Sequence, residues 1–454
     1  MKQNLLIKEL LQRIEKLEAE VIELRKENTY LRSELEKYKH PKNSNNSHLP
    51  PTKDENRPLR NQSLREKNGK KVGGQSGHDG KTLMMVDHPD ETHKETPAYC
   101  SGCGKDLAEV EGVFVDRKQV IDIPPIQPVY KEYQIYSKIC NCGHTTTSNF
   151  PSGVVASIQY GPNTEAMVSY LHSRQYLPFQ RMEEFMSDVF QLPISEGGLH
   201  CLLDRFTNKA RYLYKEIKNR IEQSESIGTD ETGVKVNGKN HWYWTWQTEQ
   251  LTYICHSLNR GVKTIQYVFE NGLPFSILQH DRWASHFHCQ AKGHQLCISH
   301  LLRDLNYLEE LYKNEWASNM KTIFKQAIEL KKQLLPNQYC HSFEPKIKIE
   351  DSLDKLLNQP IDKSCNKIIT LQKYLNKHRG NILLFLYHPK VPADNNGSER
   401  SIRNVKVKQK ISGQFKSDKG AEIYAINRSV IDTIIKSKQN VLIGLNAIAN
   451  YHSD

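Results

Sequence analysis

The stretch over residues 226–281 constrains the fold most strongly, because three strand-like segments, a helix-like segment and a fourth strand-like segment follow one another. The first three segments are rich in β-branched and aromatic residues, and turn-forming pairs at Asn237–Gly238 and Glu249–Gln250 separate them. They predict an antiparallel meander. A helix is expected over Val262–Glu270 and a strand over Phe275–Gln279.

This order of elements, followed by further helices, is that of the ribonuclease-H-like fold. We therefore expect an α/β catalytic domain over residues 223–445, with a long helical insertion over about residues 305–388.

Three acidic residues lie on or directly after predicted elements of this domain. Asp230 lies on the first strand, Asp281 follows the fourth, and Glu399 belongs to a late helix. In the ribonuclease-H-like fold, acids at neighbouring strand ends converge on metal ions, and carboxylates suit Mg²⁺. Two Mg²⁺ ions could activate a water or a DNA 3′-hydroxyl and stabilise the leaving oxygen. Glu231 should point to the opposite face of the strand, so we exclude it from the metal site. The alternative to a metal site is that the three acids are surface residues with a purely structural role.

The stretch Val391–Lys410 joins Glu399 to a run of basic residues. A carboxylate that holds a cation beside a basic face that holds phosphates would suit chemistry on DNA. The predicted DNA contacts are Arg400, Arg403, Lys406, Lys408 and Lys410. Taken alone, the stretch also fits a capped surface helix, with Asp394 or Asn395 as N-cap and bases toward its end.

Residues 1–40 carry a heptad repeat. The a positions are Ile7, Ile14, Val21, Asn28 and Leu35, and the d positions are Leu10, Leu17, Leu24, Leu31 and Tyr38. β-Branched residues at a and leucine at d favour a parallel two-stranded coiled coil, and Asn28 would fix its register. The flanking charges would attract between two identical chains, so we expect a homodimer. The alternative is one amphipathic helix packed on its own chain.

Four cysteines form two close pairs, Cys100/Cys103 and Cys140/Cys142, each beside a glycine. The spacing predicts one structural Zn²⁺ in a zinc-ribbon-like module over residues 83–155, with strand-like runs over residues 113–124 and 129–139. Free buried thiols are the alternative. Residues 41–82, which precede this module, are basic and poor in apolar residues, so they predict a disordered linker that either follows DNA or acts as a tether.

Residues 156–222 should be helical. A short helix over Arg181–Phe190, a turn, and a second helix from Glu196 to Phe206 that starts after Ser195 have helix-turn-helix spacing, although generic helical packing gives the same pattern.

A further group of possible metal ligands follows Asp281. Its members are His288, Cys289, His294, Cys297 and His300. They predict either a second zinc site or a packed helix start that brings His300 near the catalytic metal or DNA.

The net charge of +11 over 454 residues favours a polyanionic partner. No apolar run is long enough to cross a membrane, and the start has no signal-peptide apolar core, so we expect a cytoplasmic protein without a membrane partner.

Several motifs follow one another in a specific order along the chain. After the zipper they are GGQSGHDGKTL, the paired cysteines, YLPFQR, LPISEGG, TDETGVKVNGK, an NRG turn, CISHLLRDL and DNNGSERSIRNVKVKQKISG. In this order the sequence resembles the insertion-sequence-66 family of DDE transposases over essentially its whole length. The resemblance implies catalytic acids at Asp230, Asp281 and Glu399, and accessory proteins from the same element. The departures are a C-x-C in place of the second C-x-x-C, and DRWASH after the fourth strand.

The sequence as a whole predicts a multidomain α+β protein with a coiled coil, a zinc-binding module, a helical DNA-binding region and a catalytic domain. We expect a transposase that binds terminal inverted repeats and target DNA and catalyses Mg²⁺-dependent strand cleavage and strand transfer. The alternatives are a non-catalytic DNA-binding regulator and a nuclease of the same fold.

Overall fold

The computed structural model describes residues 2–39, 83–341 and 343–451. These residues belong to two compact units, one with residues 83–127 and the other with residues 2–39 and 128–451. The predicted basic linker over residues 41–82 lies outside the described residues. None of the described helices combines the length and apolar character that a membrane span needs.

The N-terminal helix α1 spans Lys2–Lys39 and thus covers the heptad repeat. Its described a and d side chains are exposed: Ile14, Leu17, Val21, Leu24, Asn28, Leu31, Leu35 and Tyr38. An apolar stripe that remains in contact with water leaves most of its burial free energy unrealised.

The predicted strands beside the cysteines are largely wrong. Residues 113–136 contain no strand, and only the hairpin of β1 (Ser137–Ile139) and β2 (Thr145–Thr147) forms within the predicted module. Val115 and Val120, which gave the first run its strand-like character, are more than nine-tenths exposed. β-Branched residues favour a strand only where a partner strand and a packed face exist, and here they have neither.

Three helices precede the central sheet: α2 (Pro162–Ser169), α3 (Phe179–Phe190) and α4 (Glu196–Glu222). The backbone N–H of Gly198 donates to Ser195 Oγ (3.3 Å), so Ser195 caps α4 as the sequence predicts. The predicted short helix, turn and second helix are present, but α4 continues sixteen residues beyond Phe206 because its apolar face extends onto the sheet and α11 (Asp418–Lys436).

A five-stranded mixed sheet forms the centre of the larger unit. Its strands are β3 (Ser226–Val236), β4 (Lys239–Gln247), β5 (Thr252–Ser257), β6 (Leu273–His280) and β7 (Ala291–Leu296), in the order β5-β4-β3-β6-β7. β3, β4 and β5 form the predicted antiparallel meander, and β6 and β7 join in parallel. Helix α5 (Val262–Val268) connects β5 to β6. The sequence did not predict β7, because AKGHQL has neither apolar alternation nor a continuous apolar run.

Helices cover the sheet and fill the region after it. They are α6 (Ile298–Tyr312), α7 (Glu315–Gln333), α8 (Glu344–Asn358), α9 (Asn366–Lys377), α10 (Asn396–Ser412), α11 and α12 (Val441–Ala449). Helices α6 to α9 share one hydrophobic core that includes Leu305, Phe324 and Leu353. Helix α10 packs on β3 and β4, and α11 packs on β5 and α4. The fold is therefore mixed α/β. Helix α10 packs on one face of the sheet and α4 and α5 pack on the other, and α11 contributes buried residues to both cores.

Candidate active site

The parallel pairing of β3 with β6 brings two of the predicted acids to the same level of the sheet. Gly228 on β3 pairs with Gln279 on β6. Asp230 and Asp281 each lie two residues beyond that pair, so the register places the two acids opposite each other where the strands begin to separate.

Helix α10 supplies the third acid because it lies against β3 at unusually short range. A Cβ atom at Gly228 would come within 2.6 Å of both Asn395 Oδ1 and Ser398 Oγ. The side-chain amide of Asn395 donates to the backbone oxygen of Thr229 (2.6 Å), and Ser398 Oγ donates to Asn395 Oδ1 (2.7 Å). These contacts fix the first turn of α10, which carries Glu399, over the strand that carries Asp230.

Glu399 is mostly buried and has cationic neighbours. Its Oε1 lies 3.6 Å from both His300 Nε2 and Arg303 Nη2, and its Oε2 lies 3.5 Å from Arg403 Nη2. The Oε1 atom is buried yet accepts no hydrogen bond. A buried carboxylate oxygen in that condition is costly without a ligand, so it is a candidate donor to a cation.

Asp230 experiences the combined charge of the surrounding acids. Burial raises the pKa of Asp230 well above its ordinary value, and the charges of Glu231, Asp281 and Glu399 raise it further. The three predicted acids are therefore electrostatically coupled. A divalent cation would reverse this effect, because it favours the ionised form of all three groups.

Glu231, which the sequence excludes, is held by Arg260 and His286 on the far side of β3. Its Oε1 accepts from Arg260 Nε (3.0 Å), and its Oε2 lies 3.1 Å from His286 Nε2. Burial opposes ionisation of Glu231, but the hydrogen bond and charge of His286, with those of Arg260, outweigh it and lower its pKa. His286 Nε2 is also 3.7 Å from Asp281 Oδ1, so Glu231 supports Asp281 through this ring.

The donor set fits a hard divalent cation. Asp230, Asp281 and Glu399 offer carboxylate oxygens only, and few protein ligands leave positions open for water and phosphate. The Oε1 atom of Glu399, which accepts no hydrogen bond, and the gathering of acids around Asp230 both suit a bound cation at this position.

Four of the five predicted DNA contacts are exposed along α10: Arg400, Arg403, Lys406 and Lys410. The prediction for Lys408 is wrong, because its side chain is buried. Its Nζ donates to the backbone oxygen of Leu177 (3.2 Å) and to those of His172 and Tyr176 (3.5 Å each). Burial lowers the pKa of Lys408 to about 8.

Lys408 and a second contact join α10 to residues 172–177, which run from a π-helical turn (Tyr170–Arg174) into the loop before α3. The Tyr176 hydroxyl donates to Asn404 Oδ1 (2.7 Å), also on α10. We refer to the contacts of Lys408 and Asn404 with residues 172–177 as the loop clasp.

The two cysteine pairs each adopt a tight turn. In the first, the N–H of Gly104 donates to Cys100 O (2.8 Å), and Gly104 has a φ of +73°. Backbone N–H groups of Gly102 and Cys103 lower the pKa of the Cys100 thiol. In the second pair, the N–H of Cys142 lowers the pKa of Cys140 in the same way. Amides that face a thiolate are typical of zinc knuckles.

The second predicted cysteine–histidine cluster is distributed among different partners. Cys297 Sγ accepts from the N–H of Asn395 (3.2 Å), and His294 Nδ1 lies 3.0 Å from His280 Nε2. Within the described ranges, these side chains do not form a group of metal ligands. His300 instead lies beside Glu399, one of the three predicted acids, a position compatible with the alternative of a packed helix start.

Sequence reasoning missed several residues around the acids, above all Arg260, His286 and Arg303. Arg260 belongs to the NRG turn, and its guanidinium lies 3.9 Å from the ring centre of Trp283, so this turn reaches the site from the edge of the sheet. Arg303 lies one helical turn from His300 on α6, a spacing that places both on one helix face. That spacing was the signal that could have identified it.

Comparison with known proteins agrees with this arrangement. No curated protein matches the chain. The family model for the transposase IS66 family matches residues 157–423, which is more than half of the chain and includes all three acids. The family implies an enzyme that acts on DNA with a divalent metal. The chain therefore belongs to the IS66 family of transposases.

Proposed function

We propose that this protein is an insertion-sequence transposase that binds terminal inverted repeats and catalyses Mg²⁺-dependent DNA cleavage and strand transfer. The observation that supports it best is the coupling of Asp230 with Asp281 and Glu399, brought together from β3, β6 and α10. A structural role gives no reason to place two further carboxylates, those of Asp281 and Glu399, beside Asp230.

We further propose that the sheet and its helices form a ribonuclease-H-like domain. Three antiparallel strands, a helix, and two parallel strands on the other side of β3 support it. In such a domain the acid on the central strand and the acid after the neighbouring parallel strand face one metal site.

In the proposed reaction, Asp230, Asp281 and Glu399 would hold two Mg²⁺ ions, which supply a polarised nucleophile and stabilise the leaving oxygen. Glu231 and Arg260 keep His286 oriented toward Asp281. Arg303 and His300 limit the position of Glu399 from the α6 side. Since α10 and β6 are both anchored to β3, these residues present a rigid cradle to the DNA backbone.

The test is a strand-cleavage and strand-joining assay with terminal-repeat DNA and Mg²⁺. A transposase nicks the repeat end and joins it to target DNA. A regulator would bind the repeat without nicking, and a nuclease would cut without joining.

The exposed basic face of α10 supports a DNA-binding role. We expect Arg400→Ala and Arg403→Ala to weaken binding to all DNA sequences, because phosphate contacts carry no sequence information. Each should reduce the slope of log affinity against log salt by about 1. Lys348→Ala, which removes the charge of an exposed lysine on α8, is the matched control. An unchanged salt slope in both arginine variants would contradict the assignment.

We propose one structural Zn²⁺ at Cys100, Cys103, Cys140 and Cys142. The thiol-facing amides in both turns support it. Cys100→Ser in the full chain should lose one equivalent of zinc and make the surrounding residues sensitive to protease, since metal affinity in small zinc modules is largely folding free energy. Equal zinc content in the purified variant and wild type would refute the proposal. Cys201→Ser, at an exposed cysteine of α4, is the control.

We propose a homodimer through α1. The exposed apolar seam from Ile14 to Leu35 supports it, because a long helix of this kind is stabilised mainly by packing. Sedimentation equilibrium of the full chain should give a dimer, and deletion of residues 1–40 should reduce its mass to that of a monomer. A full-length monomer would contradict it.

Helices α3 and α4, with the zinc module, would recognise the terminal repeats in the cytoplasm, together with accessory proteins of the same element. The turn between α3 and α4 and the cap at Ser195 support a helix-turn-helix.

A further inference from the structure

A second group of metal-ligand side chains lies away from the three acids. His241 on β4 and His256 on β5 are neighbours on one face of the sheet, and Asp418 is the first residue of α11. Asp230 pairs with Thr245, four residues along β4 from His241, so the two sites are separated by about 13 Å along the strand.

The ligand atoms have separations suited to a single ion. His241 Nδ1 lies 2.8 Å from His256 Nε2 and 3.3 Å from Asp418 Oδ1, and His256 Nε2 lies 3.9 Å from the same oxygen. A tetrahedral ion with bonds of about 2.0–2.1 Å holds its ligand atoms about 3.3 Å apart. The three observed distances bracket that value, so small side-chain rotations would complete the coordination.

The surroundings agree with a cation that has one open position. The two imidazoles are largely buried and stacked, with ring centres 5.0 Å apart, whereas the Asp418 side chain is 72% exposed. Solvent can therefore reach the ion from the Asp418 side and supply a fourth ligand. Glu422, one turn along α11, adds negative charge near His256.

We propose that His241, His256 and Asp418 bind a divalent transition metal of the zinc class. Two imidazole nitrogens and one carboxylate oxygen suit Zn²⁺, whereas Mg²⁺ prefers oxygen ligands throughout. The ion would join the first turn of α11 to the β4–β5 edge. The Tyr243 hydroxyl already donates to Ala421 O (2.7 Å) at this junction, so the metal would reinforce an existing attachment.

The experiment uses the full chain, stripped with chelator and then dialysed against Zn²⁺ alone. Asp418→Asn should bind one equivalent fewer than wild type, whether or not the cysteines hold zinc, and zinc should raise its melting temperature less. Asp418 is exposed, so this variant keeps the fold. His256→Gln should show the same loss, and Glu422→Gln, which changes a nearby carboxylate outside the ligand set, should keep the ion.

Cobalt provides a second readout. In a Cys100→Ser background, bound Co²⁺ should give a spectrum without thiolate charge-transfer bands, and excess Mg²⁺ should not displace it. Equal zinc content in wild type, Asp418→Asn and His256→Gln would overturn the proposal and leave the three side chains as a hydrogen-bonded cluster beside the first turn of α11. Displacement by Mg²⁺ would also overturn it.

Discussion

Asp230→Asn, Asp281→Asn and Glu399→Gln should each abolish DNA cleavage and strand joining while DNA binding stays close to wild type. The amides keep the size of the side chains but lose the charge that would hold the metal ions. We expect losses on the order of 10³-fold or more, which corresponds to about 4 kcal/mol of transition-state stabilisation. The three losses should not add in double variants, because the acids act on one reaction centre.

The measurement is Mg²⁺-dependent nicking of terminal-repeat DNA, with affinity measured on the same samples. Asp394→Asn is the matched control. Asp394 lies five residues before Glu399, and its Oδ1 already accepts a hydrogen bond from the N–H of Asn396 (3.0 Å). It should retain most activity. If Glu399→Gln cleaved at the wild-type rate, Glu399 would be only a first-turn acid of a capped helix.

Gly228→Ala should lower both stability and cleavage, although the added methyl group touches no acid. Its Cβ would lie 2.6 Å from Asn395 Oδ1 and Ser398 Oγ, and 2.7 Å from Gln247 Nε2. Asn395 and Ser398 are buried and hydrogen-bonded to each other, so they have little room to move. Overpacking of this kind costs about 1–3 kcal/mol. If α10 shifted to relieve this steric clash, Glu399 would move away from Asp230.

Thermal unfolding and the nicking assay together test this expectation. Gly380→Ala, at an exposed position with no atom near the new Cβ and outside the proposed DNA-binding elements, is the control. It should be neutral or stabilising by up to about 1 kcal/mol. A Gly228→Ala protein with wild-type stability and activity would show that α10 is not held by this contact.

The strands and acids of the sheet were predictable because their signals are local. β3 lies over the predicted residues and carries Asp230, and Asp281 directly follows β6, as the sequence predicts. β7 was missed because its stability comes from backbone pairing with β6 rather than from its own residues. The opposite error occurred at residues 113–136, where strand propensity is high but no partner strand is present.

The site itself was less predictable than its acids. Lys408 is one of several bases on α10, and nothing in the sequence distinguishes it from Lys406 or Lys410. Only the position of residues 172–177 buries it. The support of Asp281 by Glu231 through His286 likewise depends on a contact between two residues 55 apart, Glu231 and His286, which no local pattern relates.

The loop clasp has a geometric consequence for the DNA. Its buried contacts leave α10 and the start of α3 little freedom to move independently. If α3 and α4 bind the terminal repeat, the protein fixes the number of base pairs between the recognised sequence and the cleaved phosphodiester. The protein would then define the outer end of the mobile element by its distance from the recognised sequence, and not by the base sequence at that end.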